Sequence, residues 1–273
     1  MFNLDERLNR RLTRGGHDIF PASPPEVRKI GIVGLSAGAG VTTLALALAE
    51  CLSSKQKTAP VTYLEISEGP DERSAAGLPY DKIGIDRHFA GRDFVSFYRL
   101  AAEGKPLSGR YNLSGGVNWV LRMPVDMRHT IGAPALLRLI DNVDGAPVIC
   151  DISSSLSPGT LADVLADMQR IICVVDPLPS KLLAGGPVMD RVRSAEHAGI
   201  PVDYVLNKMN IGVNLREVKR FVSLNEPVEI PAVKLQTVYA AEYACRSLAD
   251  EPCIRGGLAD IFSRKSRNND SVS

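Results

Sequence analysis

No stretch of this 273-residue chain approaches the roughly 18 consecutive apolar residues a membrane-spanning helix needs, and its N-terminus lacks a continuous apolar segment. Neither sign of charge is in excess. The 32 Lys and Arg against 31 Asp and Glu leave a formal +1, so bulk electrostatics favours neither nucleic acid nor an anionic membrane. Cysteine is sparse and scattered: Cys51, Cys150, Cys173, Cys245 and Cys253 form no C-x-x-C pair and no Cys/His cluster at metal-ligand spacing. That excludes a disulfide framework and a zinc knuckle, and it reads as buried thiols in a reducing cytosol. The expectation is a cytoplasmic protein, long enough to bury a large core without staples.

The most telling absence is one lysine. An apolar segment from Lys29 enters a glycine-rich turn with Gly34, Gly38 and Gly40, and an Ala- and Leu-rich helix leaves it at Thr42. That order aims backbone N–H groups and the positive end of a helix dipole at an anion. The phosphate-binding loop pattern closes on Gly-Lys-Ser/Thr, whereas this chain has Gly40-Val41-Thr42. A dinucleotide-binding G-x-G-x-x-G reading of Gly38-Ala39-Gly40 fails, because Thr43 stands where the third glycine belongs.

Around the loop the chain alternates apolar runs with helix-length segments. Strands are predicted over 29–33, 61–66, 117–122, 148–152, 171–175, 202–206 and 228–230. Helices are predicted over 42–53, 93–102, 134–143, 160–168, 181–198, 215–222, 239–248 and 258–264. Several strands are near-continuous β-branched runs, the pattern of strands buried on both faces. The expected fold is α/β: one doubly wound, mostly parallel sheet over residues 28–265. Residues 1–27 read as an extension, with Leu4, Leu8 and Leu12 on a short amphipathic helix before a Pro-rich linker, and 266–273 as a disordered polar tail. The tract 68–113 is irregular, an insertion or a switch-like region. The amphipathic N-terminal helix, and Leu258, Ile261 and Phe262 beside Arg264, Lys265 and Arg267, are the candidates for peripheral membrane contact.

In such a sheet, ligands bind beyond the C-terminal strand ends. Candidate nucleotide contacts are therefore Gly34, Ser36, Gly38, Ala39, Gly40, Val41, Thr42 and Thr43 of the loop. Thr42 could offer a hydroxyl to Mg²⁺, and Asp151, ending Val148-Ile-Cys-Asp151, could hold the same ion. Glu65 leaves the second strand beside the site and, with Asp151, is the candidate for catalysis. Asn207, in Tyr204-Val-Leu-Asn-Lys208, carries an amide able to read an adenine edge, with Lys208 next to it.

The order and spacing of these segments resemble the MinD/ParA group of deviant Walker A ATPases, which includes septum-site and plasmid-partition ATPases and CpaE-like proteins of pilus assembly. The resemblance runs over residues 29–258. Ser36-Ala-Gly-Ala-Gly-Val-Thr-Thr43 stands in register with the group's Lys-Gly-Gly-x-Gly-Lys-Thr-Thr. Glu65-Ile-Ser67 and Asp151-Ile-Ser-Ser154 correspond to its Asp-x-Asp and Asp-x-Pro-Pro strand ends, and Ile172 to Ser180, Val205 to Lys208 and Glu229-Ile-Pro231 to its late segments. The resemblance implies a bound ATP or ADP with Mg²⁺, and a homodimer or protein partner.

The departures fall on charge. The signature lysine of the group is Ser36 here, the phosphate-contacting lysine is Val41, and the water-orienting acid is Ser67. A hydrogen bond to a charged group is worth about 1.5–3 kcal/mol. Losing one weakens phosphate binding about ten- to a hundredfold. A missing cationic finger costs phosphoryl transfer about 10³–10⁵ in rate. Lys208, Arg73 or Lys82 could compensate, but nothing in the sequence places them. The expected function is weak nucleotide binding without efficient hydrolysis, in a switch, scaffold or assembly adaptor. The alternatives are an active ATPase in pilus or secretion-system assembly, partition or positioning, and a nucleotide-free interaction module.

Overall fold

In the computed structural model, the described residues are 27–55, 59–68, 94–122, 126, 130–224, 226–244 and 246–269, with side chains as far as Ser263. The helix expected within residues 1–27, most of the tract 68–113, and Arg73, Lys82 and Cys245 lie outside them.

Eight strands form one sheet. They are β1 (Lys29–Gly34), β2 (Val61–Ile66), β3 (Leu113–Ser114), β4 (Val117–Val120), β5 (Val148–Ile152), β6 (Arg170–Val175), β7 (Val202–Met209) and β8 (Val228–Pro231). Their spatial order is β3-β4-β2-β5-β1-β6-β7-β8, and only the β3–β4 pair is antiparallel. The helices among the described residues are α1 (Val41–Ser53), α2 (Phe97–Ala102), α3 (Ala133–Asn142), α4 (Pro158–Ala166), α5 (Pro179–Ala184), α6 (Gly186–His197), α7 (Leu215–Phe221), α8 (Leu235–Tyr243) and α9 (Pro252–Asn269). The expected doubly wound, mostly parallel α/β fold is what the chain adopts.

Alternation along the central strands explains the layering. Ile30 and Ile32 of β1 point to one face, where they are sealed by α1 (Leu44, Leu48) and α9 (Ile254, Leu258, Ile261). Val33 points to the other, under α4 and α6. These side chains are fully or almost fully buried, each contributing about 1.5–3 kcal/mol of hydrophobic stabilisation. Gly31 on that second face lets Met168 of the following layer close in, since a Cβ there would lie 2.7 Å from its Cγ. β1 therefore lies between β5 and β6 at the centre of the sheet, and its C-terminal end delivers the glycine loop.

Several boundaries differ from expectation. The predicted helix over 181–198 is two helices, α5 and α6, separated at Gly185, which packs so tightly on Leu35 that a Cβ would stand 2.9 Å from its carbonyl oxygen. The helix predicted over 93–102 begins after Ser96, whose Oγ accepts the Arg99 N–H as an N-cap. The helix predicted at 239–248 lies at 235–243, α9 starts at Pro252 instead of residue 258, and it reaches Asn269 within the expected tail. β4 ends at Val120 and gains a short hairpin partner, β3, at the end of the tract read as irregular. β7 continues through Asn207 and Lys208 to Met209. Among the described residues no helix is long and apolar enough to cross a membrane. Cys51, Cys150 and Cys173 are buried free thiols, as expected, whereas Cys253 is only half-buried; burial pushes Cys51 up to about 11 and Cys150 and Cys173 further above the ordinary thiol range.

Candidate functional site

The loop leaves β1 pinned to the neighbouring strand by Leu35 N–H donating to Val174 O (3.0 Å), then turns tightly through Ala39 N–H to Ser36 O (3.2 Å). Gly40 closes it with φ 99° and ψ 26°, a left-handed conformation that a side chain resists. A Cβ at Gly40 would also lie 2.3 Å from Asn207 Nδ2. The first α1 bond runs from Leu44 N–H to Gly40 O (3.1 Å), and among the described residues no side chain caps the helix. Its first-turn amides thus open on a cavity of about 480 Å³. Ser36, Gly38, Ala39, Gly40, Val41, Thr42 and Thr43 line it on the loop side; Gly34 lies beneath, against the Val41 side chain. Ser36 is only 8% exposed, yet its Oγ has no hydrogen-bond partner among the described residues. A buried hydroxyl in that condition, on the wall of a cavity, is an unfilled polar position.

The loop is held from its other side by three consecutive carbonyls. Lys181 Nζ, on α5, donates to Ala37 O (2.9 Å). Lys208 Nζ donates to Gly38 O and also pairs with Asp176 Oδ2 (3.0 Å). Asn207 Nδ2 donates to Ala39 O (2.8 Å). Lys208 reaches this position from a left-handed backbone, φ 59°. The Asn207 amide, which the sequence assigns to a base edge, is thus buried and engaged on the loop, and Asn207 is not among the residues lining the cavity. Lys208 does line it. Lys181 is invisible to motif reading; the only cue is a lysine on the helix that follows the strand beside the loop.

The far wall is acidic. Glu65 of β2 and Asp151 of β5 are register partners and both face the cavity. Asp151 is 6% exposed, and the buried Tyr63 hydroxyl donates to its Oδ2 at 2.7 Å. Glu65 Oε2 accepts the Arg122 N–H at 3.0 Å. Ser67, the third residue of that strand end, is fixed by Arg122, whose Nη1 donates to its carbonyl (3.1 Å) and its Oγ (3.2 Å). The Ser67 N–H donates to Tyr98 Oη (3.2 Å), and that hydroxyl donates to Glu65 O. Burial pushes the Tyr98 phenol far above its ordinary value, so it is a permanent donor here. Arg122, fully buried over the Tyr98 ring, carries no motif; its only sequence cue is a charge ending an apolar run.

No protein-family model and no curated protein matches the chain. Solved structures do. A plasmid partition protein from Borrelia burgdorferi B31, bound to AMPPNP, superposes with a TM-score of 0.64 at 16% identity, over 88% of this chain and 100% of that one. The septum site-determining protein MinD from Pyrococcus horikoshii OT3, complexed with Mg-ADP, gives 0.62 at 14% identity, over 88% and 97%. A MinC:MinD cell division complex from Aquifex aeolicus gives 0.60 at 11%, over 86% and 96%. The fold is the MinD/ParA fold.

Within this MinD/ParA fold, the donors suit a magnesium nucleotide. Thr42, an exposed hydroxyl, and Asp151, a carboxylate, line one cavity and are the oxygen types that Mg²⁺ accepts. The unpartnered Ser36 Oγ and the uncapped α1 amides are donors suited to phosphate oxygens. Beyond Lys208 lies a second cavity of about 660 Å³, lined mainly by apolar groups including Pro177, Leu178, Leu182, Val213, Val218 and Phe221. Leu178 and Phe221 are more than half exposed, as is Leu183 on the same rim.

Proposed function

We propose that this chain is a MinD/ParA-like protein that binds ATP or ADP with Mg²⁺ weakly, hydrolyses it slowly or not at all, and works as a switch, scaffold or assembly adaptor. One observation carries the reading: Gly38, Gly40 and the start of α1 line one cavity with Asp151, while Ser36 and Val41 stand where the resemblance puts the two lysines. The unfilled Ser36 hydroxyl and the open α1 amides support retained binding. AMPPNP and Mg-ADP in the structural neighbours support the nucleotide class.

The charge balance supports poor turnover. Glu65 and Asp151 line the cavity, and the one cation lining it among the described residues, Lys208, is already engaged by Gly38 O and Asp176. Val41 presents an isopropyl group over Gly34, and Ser67, tied to Arg122, has no carboxylate to orient a water. Mg²⁺ held through Thr42 and Asp151 would supply the neutralising charge that the loop lacks.

Fluorescent ATP and ADP titrations with Mg²⁺, paired with a phosphate-release assay on the same sample, test this. Micromolar binding without turnover is expected. Turnover that survives Asp151→Ala would move catalysis to another site. Absence of binding at millimolar nucleotide would leave the interaction module, the second reading, which the exposed apolar groove beyond Lys208 favours. Either reading assigns that groove to a protein partner or a second copy. Val41→Lys should tighten nucleotide binding about tenfold or more. Unchanged affinity would mean that the loop does not face phosphate.

A further inference from the structure

We propose that the anion site draws its positive charge through the carbonyls of the loop, with Lys181, behind the loop, the principal source and Lys208, at the cavity's edge, the lesser one. The proposal rests on the nucleotide reading above and names the residues that replace the missing lysines. A trans peptide places its C=O and N–H on opposite sides, so a donor seated on the carbonyl polarises the N–H that faces away from it. An ammonium does this more strongly than a neutral amide. Three successive peptide units of the loop carry such a donor.

The three units differ in where their N–H points. Lys181 sits on the Ala37 carbonyl, and the N–H of that unit is Gly38 N–H, which has no partner among the described residues. Lys208 sits on the Gly38 carbonyl, and the corresponding Ala39 N–H is turned inward to Ser36 O at 3.2 Å. Asn207 sits on the Ala39 carbonyl, and the Gly40 N–H again has no partner among the described residues. Lys181 therefore acts on an N–H open to an incoming anion, and Lys208 on one that shapes the turn around Ser36.

Charge separates the two lysines further. Asp176 Oδ2, 3.0 Å from Lys208 Nζ, offsets its charge, whereas among the described residues no carboxylate pairs with Lys181. The packing of Gly185 against Leu35 fixes α5 on the loop and keeps Lys181 in place. Lys181 touches no ligand in this scheme; it is a positioning residue whose charge is felt through one peptide unit.

Calorimetric titration of Mg-ADP and of inorganic pyrophosphate, at two ionic strengths, tests the proposal on wild type, Lys181→Gln, Lys181→Arg and Lys208→Gln. Thermal melts of the same samples report folding. Glutamine keeps a donor for the carbonyl and removes the charge; arginine keeps both. Lys181→Gln should weaken both ligands about tenfold and flatten the salt dependence, Lys208→Gln should weaken them about threefold, and Lys181→Arg should restore affinity. Wild-type affinity and salt slope in a folded Lys181→Gln would overturn the proposal while leaving nucleotide binding intact. If Lys181→Gln does not fold, the wild type decides alone: affinity indifferent to salt overturns the proposal. A wild type that binds neither ligand defeats the nucleotide reading and this proposal with it.

Discussion

Gly40→Ala tests how the loop is built. Two independent costs follow from the structure. Alanine must adopt φ 99°, and left-handed backbone costs a non-glycine residue about 1–2 kcal/mol. Its Cβ would also lie 2.3 Å from Asn207 Nδ2, so the amide must withdraw and break its 2.8 Å bond to Ala39 O. Leaving those buried groups unpaired costs about 1–3 kcal/mol. The sum, about 2–5 kcal/mol, should lower Tm by about 5–15 °C in a chain of this size. Urea unfolding of Gly40→Ala, Asn207→Ala and the double variant separates the two costs. Asn207→Ala removes the obstacle in advance, so Gly40→Ala in that background should cost only the backbone strain. The cycle should therefore show coupling of about 1–3 kcal/mol. Additivity within about 0.5 kcal/mol would show that Asn207 does not rest on Gly40, and the account of the loop would fall.

Other expectations concern the rest of the fold. Arg170→Met, at the opposite end of the sheet, removes a guanidinium that donates to Asp203 Oδ2 (2.6 Å) and Ile261 O (2.8 Å) and stacks 4.7 Å from the Phe262 ring. Because Asp203 keeps some solvent contact, the loss should be about 3 kcal/mol in urea, with nucleotide affinity unchanged. Glu68 pins the start of α4: its carboxylate accepts from Ser157 N–H (2.7 Å), Ser157 Oγ and Thr160 Oγ1. Burial would raise its pKa, but these donors outweigh burial and hold it below the ordinary 4.5. Its contribution is thus complete above about pH 4.5 and lost as pH falls through the depressed value. Melting curves of wild type and Glu68→Gln should differ at pH 7 and converge in acid.

The sheet was legible because its central strands are apolar runs whose burial on both faces leaves no polar alternation to misread. The places where legibility failed are instructive. Val202 to Leu206 reads as a complete strand because Asn207 and Lys208 break the apolar pattern, yet those residues extend β7 to carry their side chains to the loop. The break at Gly185 is set by Leu35, a contact between residues 150 positions apart that no local propensity encodes. The cavity side of the loop could be read from its glycines and Asp151. Its reverse side could not, because Lys181 belongs to no motif and its role arises only when α5 packs on the loop. Tyr63 and Arg122, which fix Asp151, Glu65 and Ser67, were hidden for the same reason: Tyr63 looks like an ordinary member of β2 and Arg122 like a charge ending an apolar run.

The position of β1 sets when the cradle can come apart. The loop springs from a strand bonded on both sides, by β5 and β6, and its carbonyls are tied to β7 and α5. The β1 amides, bonded on both sides, exchange with solvent only through the largest openings of a protein, whereas the loop amides of Gly38 and Gly40, with no partner among the described residues, exchange without such an opening. The strand that carries the cradle therefore belongs to the last cooperative unit to melt. The shape of the loop is thus set by ties within the chain itself, on a strand at the centre of the sheet.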